Sequence, residues 1–219
     1  MVHDKRQVAA SCEAIIRSIM KEDILEQLVD DYLKFNGFFT IHNVKFRPSR
    51  AHPDYIKAAD CVASDVDVVG FHPMRTGDDR VWVVSCKSWQ MGFDPKDRIS
   101  AIENEKVREG RPAWQGFREL VKPKWANALI QEIERLTGTT RFTYVTAVTK
   151  LLTPASTWEQ NAAFKKNLGG NPIKILTLQE ILNDLYSKTK TSVASSEIGR
   201  LLQVIKASGW NPGAPHPPK

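Results

Sequence analysis

Two apolar runs constrain this chain more than any other feature: DVDVVGF (65–71) and RVWVVSC (80–86). Valine and aromatic residues dominate both, and both are too short for a stable helix. Between them stand the turn formers Thr76, Gly77, Asp78 and Asp79. β-Branched side chains suit a pleated surface and are stiff in a helix, so the pair reads as two strands around a turn. Val81, Trp82, Val83 and Val84 follow one another without a polar residue, as in a strand buried on both faces. Such a pair must be covered by helices, and the rest of the chain supplies them.

Residues 8–36 read as helix in one or two pieces. Leu25, Leu28, Val29, Tyr32 and Leu33 fall on one face, and Gly37 closes it. FFTIHNVKF (38–46) is a strand, followed by a polar loop with Pro48 and Pro53. FDPKDRISAIENEKVREG carries helix punctuation: Asp94 as N-cap, Pro95 at the first helical position, Gly110 as the stop. Further helix is expected over 112–121 and 123–136, then strand over 141–149, helix over 156–168, strand over 173–178 and helix over 177–188. SSEIGRLLQVIKASGW makes a last amphipathic helix capped by Ser195 or Ser196, ahead of a Pro/Gly-rich tail expected to be disordered. The expected fold class is α/β, a central mixed sheet of about five strands flanked by helices. The expected organisation is one main domain over 1–186, a helical extension over 187–210 and a tail over 211–219.

Composition narrows the class of protein. The 219 residues suffice for one medium domain. Lys plus Arg exceed Asp plus Glu by 31 to 25, a net +6 that leans weakly toward a polyanionic partner. No apolar run approaches the ~18 residues of a membrane span. The N-terminus starts charged like a signal peptide, but Glu13 and Arg17 break what should be its apolar stretch. Cys12, Cys61 and Cys86 show no CxxC spacing, so reduced, buried thiols in a cytoplasmic protein are expected. Cys61 with His52 or His72 has the wrong spacing for a zinc site.

Lys87 is the residue that asks for chemistry. It ends an apolar strand, and alternation puts Ser85 on its face and Cys86 on the other. Adjacent strands lie ~4.8 Å apart, so Asp67 on the preceding strand can converge with Lys87. A carboxylate for a hard divalent cation, beside a lysine that orients water, is the equipment of phosphodiester hydrolysis.

This ordered set resembles the PD-(D/E)XK nuclease superfamily, the restriction-endonuclease-like fold. Asp67, in VDVV, matches the motif aspartate and Lys87 the motif lysine; the backbone carbonyl of Cys86 would then be a metal ligand. LEQLVDDYLKFNGFFTIHN is similar to the leading segment of the Holliday-junction-resolvase and Mrr-like branches, with Glu26 matching its glutamate. The resemblance covers roughly residues 20–150. It implies a Mg²⁺- or Mn²⁺-dependent deoxyribonuclease acting on DNA, with Asp67, Lys87, Glu26 and a further acid as catalytic residues. Enzymes of this kind often act as homodimers.

One position departs from the pattern. The motif acid two residues before the lysine is Ser85. Some restriction enzymes of this superfamily carry Ser-x-Lys and recover the carboxylate from the next helix. At 100° per residue Glu103 falls among Ile99, Ile102 and Val107 on the inward face, and Glu105 nearly opposite. Glu103 is therefore the expected metal ligand. The competing expectation is a fold that has lost its metal and binds nucleic acid or a protein partner. Asp65 shares the face of Asp67 and is either a second ligand or a solvent-facing acid. Gln90 and Trp89 are candidate substrate contacts. Trp82, Trp114, Trp125 and Trp158 are expected in the core, and the basic residues over 96–124 on a solvated helix surface.

Overall fold

A computed structural model describes residues 24–108, 110–190 and 196–210. The expected helix before residue 24, Cys12 and the tail 211–219 lie outside the described residues. In chain order the elements are α1 (Ile24–Phe35), β1 (Phe39–Phe46), α2 (Lys57–Asp60), β2 (Ser64–Phe71) and β3 (Val81–Lys87). Then come α3 (Pro95–Glu103), β4 (Val107–Arg108), β5 (Arg111–Pro112), α4 (Arg118–Val121), α5 (Pro123–Thr137) and β6 (Thr143–Val148). The chain closes with α6 (Ser156–Glu159), α7 (Ala162–Asn167), β7 (Ile173–Thr177), α8 (Leu178–Lys188) and α9 (Glu197–Ala207). None of these helices is long and apolar enough to cross a membrane.

The fold is α/β. Five strands form a mixed sheet in the order β1-β2-β3-β6-β7. The first three are antiparallel, and β6 and β7 then run parallel to β3. The valine runs become its centre: β3 lies between β2 and β6 with Val81, Val83 and Val84 fully buried. Both faces are covered. Leu25, Leu28, Val29 and Leu33 of α1, with Ile181 and Leu185 of α8, pack on Val68, Trp82, Val84 and Ala147. Leu202 of α9 joins the same cluster, and the Ser196 hydroxyl caps α9 while donating to Asp31 at 2.6 Å. The other face packs Val69, Val83, Tyr144 and Ile175 against Phe117, Leu120, Trp125, Leu129 and Trp158.

The helix expected to run from Asp94 to Gly110 is shorter. Asp94 caps it and Pro95 opens it, but it stops at Glu103. The Lys106 N–H bonds back to the Ala101 carbonyl and the Glu105 N–H to that of Ile102. Glu105 sits in the left-handed region at φ 51°. This is a Schellman termination with glutamate in the position glycine usually takes. The freed residues form the two-stranded hairpin β4–β5. The expected helices over 112–121 and 156–168 each divide as well: a 3-10 turn (Ala113–Phe117) precedes α4, and α6 is separate from α7.

The β1–β2 connection is tied down from below. Asp60 is buried at 1% exposure and accepts from Lys124 Nζ at 2.6 Å, the Ile56 N–H at 2.8 Å and Trp125 Nε1 at 3.2 Å. Burial would push its carboxyl up, but the ammonium and the two N–H donors outweigh that and hold it below the usual range. Its stabilisation is therefore complete above the unfolded carboxyl pKa, ~3.9, and is lost as pH falls through the lower folded value. Replacing it also strands a half-buried ammonium. Asp60→Ala is expected to cost about 3 kcal/mol in urea unfolding at pH 7. The gap to the parent protein should narrow as the pH drops below about 4.

Candidate active site

The β2–β3 ladder runs from Phe71↔Val81 to Val68↔Val84. Immediately beyond, the Cys86 N–H donates to Asp67 Oδ2 at 2.5 Å instead of to the β2 backbone. On the other side of β2 the register passes from His42↔Val68 to Val44↔Val66, and Asn43 between them has φ 52°. Asp67 thus stands where both neighbouring strands deviate from regular pairing, a common arrangement beside functional sites. Its carboxylate is held at the end of β3 by a charge-assisted hydrogen bond.

A cavity of about 400 Å³ opens at this point. Asp67, Ser85 and Lys87 line it together, as strand alternation requires of residues on one face. Ala58, Ala59 and Val62 form one wall, and the segment from Arg111 to Glu119 forms the other. Lys87 is half-buried, its Nζ 5.4 Å from the centre of the Phe117 ring. Arg111 and Arg118 also reach the cavity, so three cations surround its two inner carboxyl groups. Asp65 lines it too, from an exposed position.

The second inner carboxyl is Glu119, in α4. It is 4% exposed, flanked by the fully covered Phe117 and Leu120, and it accepts a hydrogen bond from the Tyr144 hydroxyl. Burial pushes its carboxyl up; the Lys87 charge and the Tyr144 hydrogen bond pull it down without cancelling that. Tyr144 is itself completely buried on β6. Burial and the adjoining Glu119 drive its hydroxyl well above the ordinary phenol range, against the opposing influence of the nearby Ser85 hydroxyl. The phenol therefore stays neutral and donates to Glu119.

The expected acid and the observed one differ. Glu103 is exposed at the last position of α3 and is not among the residues lining the cavity. Its assignment to an inward face relied on a helix continuing to Val107, which instead lies in β4 at 65% exposure. Glu26 lies half-buried in the first turn of α1, whose apolar stripe covers the opposite face of the sheet, and does not line the cavity. Gln90 is exposed, outside the lining. Trp89 is packed between Phe93 and Phe117 with Arg98 over its ring at 4.1 Å. The cavity tryptophan is Trp114, half-buried with Lys122 Nζ 4.8 Å from its ring centre. The buried Trp125 reaches the lining as well. Cys86 points to the α1 face and is half-buried, whereas Cys61 is exposed, so the expectation of buried thiols fails for both.

Of the basic residues expected on a solvated surface, Arg108 is paired with Asp97 and Lys124 with Asp60, while Arg111 and Arg118 face the cavity. Sequence reasoning missed Glu119 and Tyr144 as site residues and assigned Trp114 to the core, whereas Arg111 and Arg118 belong to the basic cluster that could bind phosphates. The available signal was GFRELV, an acid enclosed by apolar residues. A four-residue helix carries too little periodicity to say which way that acid points.

The cavity offers the carboxyl groups of Asp67 and Glu119, and a Mg²⁺-type cation completes its coordination with water and substrate oxygens instead of a full protein cage. Among the described residues no three His, Cys, Asp or Glu side chains form a group that could hold a metal ion. Compared with protein-family models, curated proteins and solved structures, the chain matches none.

A carboxyl whose folded pKa is raised costs stability as pH climbs past its unfolded value of ~4.3. Glu119→Gln is thus expected to be more resistant to urea than the parent at pH 7.5. That advantage should close as the pH is lowered below about 4, where the carboxyl is protonated in both states.

Proposed function

We propose that this protein is a metal-dependent nuclease of the PD-(D/E)XK type that hydrolyses phosphodiester bonds in DNA. The observation that carries the reading is the convergence of Asp67, Lys87 and Glu119 on one cavity, with Ser85 at the motif position between them. Each residue has a chemical task there. Asp67 and Glu119 would hold the cation, with the Cys86 carbonyl at the same strand end. When bound, the cation supplies positive charge to the phosphoryl oxygens.

Lys87 faces the same space from a half-buried position, where an ammonium acts more strongly than in bulk water. It orients the attacking water and stabilises the charge that builds on phosphate. Arg111 and Arg118 bind non-bridging phosphate oxygens of the backbone. Trp114 offers an aromatic surface beside them for a base or sugar. Glu26, Glu103, Gln90 and Trp89 have no part in this version of the site.

A second reading is favoured by Ser85 itself and by the absence of a three-ligand group among the described residues. In it the fold binds nucleic acid without cutting it. That protein would bind DNA in a salt-dependent manner without Mg²⁺ and cleave nothing.

The two readings separate in a Mg²⁺-dependent cleavage assay on plasmid, branched and single-stranded DNA. Cleavage by the parent protein is expected to fall about 10²–10⁴-fold in Lys87→Ala, with similar losses in Asp67→Ala and Glu119→Gln. Equal activity in all four proteins would defeat the nuclease reading, and binding without cleavage would establish the second one.

A further inference from the structure

Tyr144 is an unusual residue for its position. It lies at 0% exposure on a sheet face built mainly from valine, isoleucine and phenylalanine. Phenylalanine would fill that space without a polar atom to satisfy. Its hydroxyl donates to Glu119, and Ser85 stands beside it on the adjacent strand. Both line the cavity and both are themselves buried, at 4% and 3% exposure.

The register explains how the three meet. Val83 pairs with Tyr144 and Ser85 with Thr146, so Tyr144 and Ser85 project from adjacent strands toward the same face. Thr146, on the same face, accepts a hydrogen bond from Trp158 Nε1 at 3.1 Å. Glu119 descends onto that face from α4, whose neighbours Phe117 and Leu120 are locked in the core.

We propose that Tyr144, with Ser85 beside it on the adjacent strand, is the positioning residue for the Glu119 carboxylate, so that the serine in the motif position acts on the second acid at one remove. This rests on the metal-dependent reading above and extends it to residues outside the ligand set. The phenol fixes one carboxylate oxygen and leaves the other for the cavity. A ligand carboxylate held in this way loses less freedom on binding a cation, the usual service of a hydrogen-bonding partner behind a metal ligand. Tyr144 itself touches neither substrate nor metal.

The test is calorimetric titration of Mn²⁺ alone into the full chain, run at a temperature where circular dichroism shows every variant folded. Tyr144→Phe is expected to bind Mn²⁺ about 10–100-fold more weakly than the parent. Ser85→Ala should shift affinity the same way by less, and it serves as the decisive variant if Tyr144→Phe does not fold. In the Glu119→Gln background, Tyr144→Phe should change Mn²⁺ affinity no further, which isolates the pair. A purely structural Tyr144 would lower the melting temperature and leave Mn²⁺ affinity within twofold of the parent, and that result overturns the proposal. Parent protein that takes up no Mn²⁺ overturns the metal-dependent reading beneath it and this assignment with it.

Discussion

Regular pairing between β2 and β3 stops at Val68 and Val84, and the arrangement of the site follows from what happens next. The Asp67 carboxylate takes the Cys86 N–H, which pins the ends of both strands while leaving room between them. Ser85 and Lys87 project into that room by alternation alone. Because β3 continues to pair with β6 through Lys87↔Val148, its end stays rigid although β2 has let go. The cavity lysine, Lys87, is thus carried on a strand anchored on one side and open on the other.

Covering this face brings in the second acid. Phe117, Leu120 and Trp125 must pack on the sheet to bury it, and Glu119 lies between the first two in sequence. Seating an acid there is costly unless it is hydrogen-bonded, and the Tyr144 hydroxyl meets that need from the sheet side. Glu119 also lies near the Lys87 ammonium, which favours its ionised form. Apolar packing, a buried hydrogen bond and the field of a neighbouring ammonium therefore converge on one short helix. Groups of this kind are retained at sites where function requires them, at some expense of stability.

Asp60 does for the opposite wall what Tyr144 does beneath Glu119. It ties the segment before β2 to the start of α5 through Lys124 and Trp125. Trp125 in turn packs edge-on against Phe46 at the end of β1. Both walls of the cavity are consequently tied to the same core through buried residues, although Ala58, Ala59 and Val62 are themselves exposed.

Much of this was legible in order and kind. The valine runs, the Asp94–Pro95 start of α3, the Pro123 start of α5 and the apolar stripe of α1 all identify their elements from neighbouring residues. Alternation likewise placed Asp67, Ser85 and Lys87 on one face, because a strand repeats every two residues whatever surrounds it. The acid was another matter. Glu103 was chosen by extending a helix that Glu105, at φ 51°, brings to an end. Nothing local announces glutamate in a left-handed turn. Trp89 and Trp114 both pack half-buried against the core, and only packing decides that Trp114 is the one that lines the cavity. Short-range periodicity determined the strands, most of the helices and the side each strand residue faces. Which acid completes the cavity depends on a contact between residues 25 positions apart, Glu119 and Tyr144. Pairings at that separation are set by how whole elements pack, so the tertiary structure alone decided them.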